Sequence, residues 1–204
     1  KPGLPVDKVV EWSKDVLQVL EYIHNQNPPI VYRDIKPGNI MINTYGKAML
    51  IDFGIARIVQ ESSQTKKTAI GTQGYAPPEQ CRGQVEPRSD LYALGATMHH
   101  LLTGIEPLPF RFEPLRRINS KISTELEGIV MKALKDNLNE RFLSAKDMKD
   151  VLLSLSSPSQ INQVIPLTKD IYTSSPIQKS FIEPDMVYID GGTFKMGSSN
   201  GDSN

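Results

Sequence analysis

The stretch Val31–Ile42, VYRDIKPGNIMI, places polar side chains that could do chemistry beside residues that favour burial. Its candidates are Asp34, Lys36 and Asn39, and a further carboxylate, Asp52, follows the next apolar run. Mg²⁺ accepts carboxylate and amide oxygens, with phosphate and water completing its coordination. A nearby lysine adds positive charge for a phosphate. The stretch is therefore either a solvated turn or a site that holds a charged ligand.

A short β hairpin is predicted to separate these polar groups. The segments IMIN and AMLI flank TYG, whose Gly46 suits a tight turn. The second segment is predicted to be a strand from Ala48 to Ile51 that ends at Asp52. The oxygen-bearing side chains are therefore expected on two loops that flank one hairpin.

Two helices are predicted to support the hairpin. Apolar residues between Pro5 and His24 have the spacing of one helix face, and Pro28 and Pro29 prevent the helix from continuing. They are Val9, Val16, Leu17, Leu20 and Ile23. Ser89–Thr103 is apolar on nearly every side, which is typical of a buried helix, and Gly104 is expected to cap it.

Further helices and a change of composition follow. Thr124 with Glu127 is predicted to form a capping box, and Ser144 is predicted to cap the last helix. Residues 156–184 are rich in Ser and Pro and are predicted to be a linker. Residues 185–204, with a Gly-Gly turn, are predicted to begin a second domain.

Composition narrows the class of protein. The 204 residues are 39% hydrophobic and 23% charged, as in soluble globular proteins. The net charge is zero, so there is no electrostatic argument for nucleic acid as a partner. The single cysteine, Cys81, excludes an intrachain disulfide and fits a reducing, cytoplasmic compartment. No apolar run approaches the roughly 18 residues of a membrane span. Because the sequence begins at Lys1, it is expected to be a piece of a longer protein.

Three motifs in order carry a family resemblance. R-D-x-K-P-x-N, then D-F-G, then A-P-P-E resembles the Hanks-type protein kinases, in particular the bacterial serine/threonine branch. The resemblance covers about Pro5 to Leu155, so residues 1–155 are expected to form the family's C-terminal lobe. It implies an α+β, mainly α fold with a short β hairpin, followed by the linker and the first strands of the second domain. It also implies an enzyme that uses ATP and Mg²⁺ to phosphorylate serine or threonine in protein substrates.

The resemblance implies a role for each polar residue. Asp34 is expected to accept the proton of the substrate hydroxyl, and Lys36 to steady the transferred phosphoryl group. Asn39 and Asp52 are expected to hold Mg²⁺, and Met41 to lie beneath the adenine.

The same resemblance implies specificity and regulation. Lys36 stands where serine/threonine-specific members carry lysine, and Thr72 resembles the threonine that contacts the catalytic base and this lysine. Arg33 resembles the arginine that pairs with a phosphorylated residue of the activation segment. Thr65 and Thr68 are the candidate phosphorylation sites, with Thr68 preferred.

Other matched positions are expected to be structural. Glu79 is expected to pair with Arg141, and Asp90 is expected to accept hydrogen bonds from the catalytic-loop backbone. One departure is Tyr32, where the family usually has histidine; its ring is expected to pack against Phe53.

The sequence contains no glycine-rich loop, strand lysine or partner glutamate, which belong to the family's N-terminal lobe. The isolated chain is therefore expected to have little or no kinase activity. Two alternatives stay open: a pseudokinase or regulatory scaffold, and a small-molecule kinase of similar fold. The histidines His24, His99 and His100 are expected to pack or to face solvent rather than to bind a metal. The oligomeric state is not indicated.

The tail carries a second resemblance. MVYIDGGTFKMGS is similar to the opening of formylglycine-generating, sulfatase-modifying-type domains, over about Met186 to Gly197. Asp190 replaces the proline usual in that family. The alternative is a Gly-rich hairpin with no such relationship.

Overall fold

A computed structural model describes residues 2–53, 57–58 and 74–155. The predictions for Thr65, Thr68 and Thr72, for the linker and for the tail lie outside these residues. The elements are α1 Val6–His24, β1 Ile30–Val31, β2 Ile40–Ile42, β3 Ala48–Leu50, β4 Arg57–Ile58, α2 Pro78–Cys81, α3 Pro87–Thr103, α4 Leu115–Ile118, α5 Thr124–Ala133 and α6 Ala145–Ser154. Short 3-10 turns occur at Pro37–Asn39 and Leu138–Glu140.

Helix α3 forms the centre of the core, as its continuous apolar sequence predicts. It packs against α1, α5 and α6, and nearly all of its residues are buried. Gly95 allows the close approach of α5, since a Cβ at this position would lie 2.9 Å from Cβ of Ala133. The helix ends at Gly104, whose φ of 73° is the left-handed conformation predicted for the cap.

The predicted hairpin is present. Strands β2 and β3 pair antiparallel, with Ile40 opposite Leu50 and Ile42 opposite Ala48. Gly46 turns the chain with φ of 79°. Helix α1 packs on β3 and buries Ala48 and Leu50, so the hairpin is fixed to the helical core on one side.

The predicted N-cap of α5 was wrong by one residue. Ser123, not Thr124, is the N-cap, and its hydroxyl accepts from the backbone N–H of Leu126 at 3.2 Å. Glu127 therefore does not complete a capping box; its Oε1 accepts from the N–H of Arg116 at 3.0 Å. The N-cap predicted at Ser144 is confirmed, since its hydroxyl accepts from the N–H of Asp147.

The described residues thus form a helix-rich fold with small antiparallel pairs, which fits a kinase-like lobe. A second two-stranded pair joins β1 to β4, with Ile30 opposite Ile58. Among the helices in this part of the chain, none combines the length and the apolar character that crossing a bilayer demands.

Candidate active site

Three of the predicted site residues meet in one loop. Lys36 Nζ lies 2.7 Å from Asp34 Oδ2, and Asn39 Nδ2 donates to the same oxygen at 2.8 Å. Asn39 Nδ2 also donates to the backbone carbonyl of Asp34 at 2.8 Å. The Asp34 side chain is 15% exposed and that of Lys36 is 28% exposed. The carboxylate is therefore oriented by two neighbours while it remains reachable from solvent.

The local sequence explains how this loop folds. Ile35, between the two charged residues, is fully buried, and its carbonyl accepts from Thr97 Oγ1 of α3 at 3.4 Å. Pro37 begins the 3-10 turn, which the N–H of Asn39 closes on the carbonyl of Lys36 at 3.0 Å. The turn brings the Asn39 amide back to Asp34.

Asp52 directly follows Ile51, whose backbone is hydrogen-bonded to the loop of Asp34 and Asn39. The N–H of Ile51 donates to the carbonyl of Asn39 at 3.0 Å, and the Tyr32 hydroxyl donates to the carbonyl of Ile51. Asp52 then adopts the left-handed conformation, with φ of 62°, and its side chain is exposed. Aspartate tolerates this conformation better than most residues. The hairpin thus places Asp52 beside the Asp34 loop.

Asp90 of α3 holds the backbone that precedes Asp34. Its Oδ1 accepts from the N–H of Arg33 at 2.8 Å, and its Oδ2 accepts from the N–H of Tyr32 at 2.8 Å and from His24 Nε2 at 2.8 Å. The carboxylate is fully buried, and these donors offset the cost of removing its charge from water.

Sequence reasoning missed two residues that support this backbone. His24 was expected only to pack or to face solvent, yet it binds Asp90; its signal was its place four residues after Leu20 on the buried face of α1. Gln80 Nε2 donates to the carbonyl of Arg33 at 2.9 Å, and no periodic pattern marked it. Together Gln80 and Asp90 hold Arg33 in a left-handed conformation with φ of 75°. Such strain persists only where the surroundings fix it.

Tyr32 packs against Phe53 as expected from the sequence. Their rings meet edge to face with centroids 5.1 Å apart. Burial, with smaller effects from the nearby carboxylates, raises the pKa of Tyr32 to about 12. The hydroxyl therefore stays protonated at neutral pH and remains a donor to Ile51.

Glu79 and Arg141 meet in a buried ion pair. Arg141 donates to both Glu79 oxygens, at 2.7 and 2.9 Å, and Glu79 Oε1 also accepts from Ser89 Oγ at 2.8 Å. The remaining guanidinium donors bind backbone carbonyls, including those of Lys135 and Asp136. This arrangement ties α2 to the segment between α5 and α6.

The hairpin presents an apolar surface beside the polar loop. Met41 is 56% exposed, and Met49, opposite it on β3, is 47% exposed. Phe53 is 48% exposed. Exposed apolar groups next to oriented polar groups suit a ligand with an apolar part and a charged part.

The oxygen atoms of Asn39 and Asp52 suit Mg²⁺, which takes only part of its coordination from the protein. Within residues 2–53, 57–58 and 74–155, no group of three or more His, Cys, Asp or Glu side chains is arranged to hold an ion. Asn39 uses its amide N–H₂ on Asp34, so its carbonyl oxygen is the atom it can offer a cation. One amide and the carboxylate of Asp52 match an ion that takes its other ligands from phosphate and water.

Comparison with known proteins gives the family. The protein kinase domain model matches residues 2–162. The chain therefore belongs to the protein kinase family.

Its relatives include several bacterial kinases. The chain is 35% identical to serine/threonine-protein kinase PknB of Mycobacterium leprae, over 76% of this chain and 27% of that protein. It is 38% identical to a probable serine/threonine-protein kinase of Streptomyces coelicolor, over 70% of this chain and 24% of that protein. It is also 38% identical to serine/threonine-protein kinase PknA of Nostoc sp., over 68% of this chain and 26% of that protein. The chain thus spans about a quarter of the length of these relatives.

Proposed function

We propose that the chain is the C-terminal lobe of a serine/threonine protein kinase and supplies the base, the metal ligands and the protein-substrate side of its active site. The observation that carries this proposal is Asp34, oriented by Lys36 and Asn39 beside the loop of Asp52. Kinase chemistry needs such an arrangement because phosphoryl transfer depends on positioning and on charge stabilisation.

In the proposed reaction the substrate hydroxyl oxygen forms a bond to the terminal phosphorus of ATP, ADP leaves, and the hydroxyl proton passes to Asp34. Asn39 and Lys36 fix the direction of the Asp34 carboxylate through its Oδ2. Lys36 also lies where its positive charge stabilises the transferred phosphoryl group. Mg²⁺ held by Asn39 and Asp52 would neutralise the phosphate charge, and Met41 would lie against the adenine.

The specificity for serine and threonine is supported by Lys36 and by the names of the relatives. The test is to express the chain with the residues encoded upstream of Lys1 and to incubate it with labelled ATP, Mg²⁺ and a mixed protein substrate. Acid hydrolysis should release labelled phosphoserine or phosphothreonine, with none in the Asp34→Asn protein. Label in phosphotyrosine alone would contradict the specificity. A wild-type protein that binds ATP without transferring phosphate would favour the pseudokinase or scaffold.

The regulatory assignments are part of the same proposal. Arg33 precedes Asp34 and would bind a phosphate on Thr68 or Thr65, and Thr72 would contact Asp34 and Lys36. Phosphate on threonine adds charge and acceptor oxygens that an arginine can bind. If mass spectrometry of the active protein finds phosphate on neither threonine, this regulation is wrong.

Three further assignments concern the whole protein. We propose residues 156–184 as a linker, residues 185–204 as the start of a sulfatase-modifying-type domain, and a cytoplasmic location, in keeping with the single cysteine. The sequence encoded after Asn204 is the cheapest test, since it should continue that domain's pattern. An unrelated sequence there would remove the second-domain proposal.

A further inference from the structure

The β2–β3 hairpin joins the two residues proposed to hold Mg²⁺. Asn39 directly precedes β2, and Asp52 follows shortly after β3, so the hairpin determines where the two side chains lie relative to each other. Each strand has only three residues. A two-stranded hairpin is at best marginally stable by itself in water. The position of both metal ligands therefore depends on what holds the hairpin against the helices.

Packing holds the hairpin mainly through β3. Ala48 and Leu50 of this strand are buried, and the strand lies against α1. In β2, by contrast, Met41 and Ile42 are exposed. Strand β2 therefore takes its position largely from its pairing with β3, and β3 takes its position from α1.

Two side chains of α1 bind the hairpin at its turn. Asp15 Oδ2 accepts from the backbone N–H of Ala48 at 3.0 Å, and Asp15 Oδ1 lies 3.2 Å from Lys47 Nζ. Trp12 Nε1 donates to the carbonyl of Gly46 at 3.1 Å. These contacts fix the end of the turn and the start of β3 to α1.

The bond to the backbone is the stronger of the two that Asp15 makes. The Asp15 side chain is 17% exposed, whereas that of Lys47 is 70% exposed. An ion pair with so exposed a lysine contributes little, because water screens it. A hydrogen bond from a backbone N–H to a carboxylate is about twice as strong as one between neutral groups. Asp15 therefore acts chiefly on the Ala48 N–H.

A displacement at Ala48 would reach the metal ligands along the strand. Strand β3 runs from Ala48 to Leu50, and the N–H of Ile51 beyond it donates to the carbonyl of Asn39 at 3.0 Å. Asp52 is the next residue along the chain. The antiparallel register ties β2 to β3, so a shift of β3 moves both sides of the metal site.

The same helix supports the other part of the site. His24, at the C-terminal end of α1, binds Asp90, which holds the backbone before Asp34. Asp15 lies in the middle of α1. One helix thus carries a support for the loop of the proposed base and a support for the proposed metal ligands.

We propose that Asp15, assisted by Trp12, is a positioning residue for Mg²⁺, because it holds the hairpin so that oxygens of Asn39 and Asp52 reach the same ion. The inference rests on the proposed kinase function, which supplies the metal. Removing a residue that orients metal ligands from outside the coordination sphere typically lowers metal affinity by about 10–100-fold. Asp15 acts through the hairpin rather than on a ligand directly, so we expect a loss of about tenfold.

Metal binding can be measured without catalysis. The protein that includes its upstream residues would be titrated with Mn²⁺ in the presence of a non-hydrolysable ATP analogue, and free Mn²⁺ would be followed by electron paramagnetic resonance. Mn²⁺ prefers the same oxygen ligands as Mg²⁺. Asp15→Ala should weaken Mn²⁺ binding by about tenfold and speed hydrogen exchange at the Ala48 amide. Unchanged Mn²⁺ affinity in this variant overturns the proposal.

Conservative variants separate positioning from a general loss of stability. Asp15→Asn keeps an oxygen that can accept from the Ala48 N–H, so it should restore most of the Mn²⁺ affinity. Trp12→Phe keeps a ring and removes the bond to Gly46, so it should weaken Mn²⁺ binding by about threefold. This second variant carries the test if Asp15→Ala does not fold, and unchanged affinity in it would then overturn the proposal.

A matched control comes from the far end of the described chain. Ser144→Ala removes the N-cap bond to Asp147, so it should lower stability and leave Mn²⁺ affinity unchanged. If it weakens Mn²⁺ binding as much as Asp15→Ala does, the effect is one of stability and the proposal is wrong. It is also wrong if Asp15→Asn binds Mn²⁺ as weakly as Asp15→Ala.

Steady-state kinetics distinguish this inference from the proposed function. Asp15→Ala should raise the Mg²⁺ concentration for half-maximal phosphorylation by about tenfold, with KM for a serine-containing peptide unchanged. A raised peptide KM with normal Mg²⁺ dependence overturns the positioning role alone. A wild-type protein that binds Mn²⁺ and the analogue but phosphorylates nothing contradicts the kinase function, while the Mn²⁺ titration still tests Asp15. A wild-type protein that binds no Mn²⁺ overturns both.

Discussion

Two pairs of opposite charges in this molecule differ in how completely they are enclosed. Arg141 and Glu79 have side chains 0% and 6% exposed, and they share two hydrogen bonds. Lys36 and Asp34 have side chains 28% and 15% exposed and share one contact, beside a hairpin with an open apolar face. A pair of opposite charges can therefore fix the fold at one place and remain accessible to a substrate at another.

The difference lies in what surrounds each pair. The two Glu79 oxygens and three backbone carbonyls take all five N–H groups of Arg141, so its guanidinium has no donor left for a ligand. Removing only one partner of such a buried pair strongly destabilises the protein, because the other charge is left buried without a partner. A partly exposed pair contributes little to stability. We therefore expect substitutions to separate stability from activity.

The largest effect is expected at the accessible pair. In the protein that includes its upstream residues, Asp34→Asn should lower kcat on a serine-containing peptide by about 10²–10⁴-fold, because the carboxylate no longer accepts the hydroxyl proton. The free energy of unfolding should change by less than about 1 kcal/mol. Steady-state kinetics and urea unfolding on the same preparation check both. Undiminished kcat would remove Asp34 from its role.

The enclosed pair should show the opposite behaviour. Arg141→Met should cost about 3–5 kcal/mol of unfolding free energy, because it leaves Glu79 charged and buried. The double variant Glu79→Leu/Arg141→Met should recover much of this loss, since it removes both charges. Lys146→Met, from an exposed pair with Asp150, is the matched control. If Arg141→Met costs no more than this control, the contrast between the two pairs fails.

Substitution of Asp90 should affect both stability and activity, because this buried carboxylate holds the backbone of Arg33, next to Asp34. Asp90→Asn should cost about 1.5–3 kcal/mol, because an amide cannot accept from all the donors that the carboxylate binds. It should also lower kcat, since the loop before Asp34 loses its anchor. His24→Leu keeps both backbone bonds and should cost less. Equal losses in stability for the two variants would contradict the backbone role.

The smallest effect is a pH dependence at His99. Burial lowers the pKa of His99, so the folded protein keeps it neutral while the unfolded chain takes up a proton. Stability should therefore be fully present above about pH 6.5 and should fall as the pH drops below it, by at most about 1.4 kcal/mol per pH unit. Urea unfolding between pH 7.5 and 5.5 measures this. His99→Phe should show the shallower slope, and identical slopes would contradict it.

Much of the fold was predictable because its signals are local. The apolar face of α1, the continuous apolar sequence of α3 and the turn at Gly46 each lie within one element. The N-cap of α5 was predicted wrongly because serine and threonine are both favourable N-cap residues. Only the backbone geometry decides between Ser123 and Thr124.

The site was predictable in part. Asp34, Lys36 and Asn39 are close in sequence, so their meeting in one turn followed from a short motif. The partnership of Glu79 with Arg141 came from the family resemblance alone, since 62 residues separate them. His24 and Gln80 were missed because their partners, Asp90 and Arg33, lie on other elements far away along the chain.

The most direct test is a crystal structure of the protein, with its upstream residues, bound to Mg²⁺, a non-hydrolysable ATP analogue and a serine-containing peptide. We predict oxygens of Asn39 and Asp52 about 2.0–2.1 Å from the ion. We also predict the Asp34 carboxylate about 2.6–3.2 Å from the serine hydroxyl oxygen. An ion held by other residues, or a serine hydroxyl bound away from Asp34, would contradict the account.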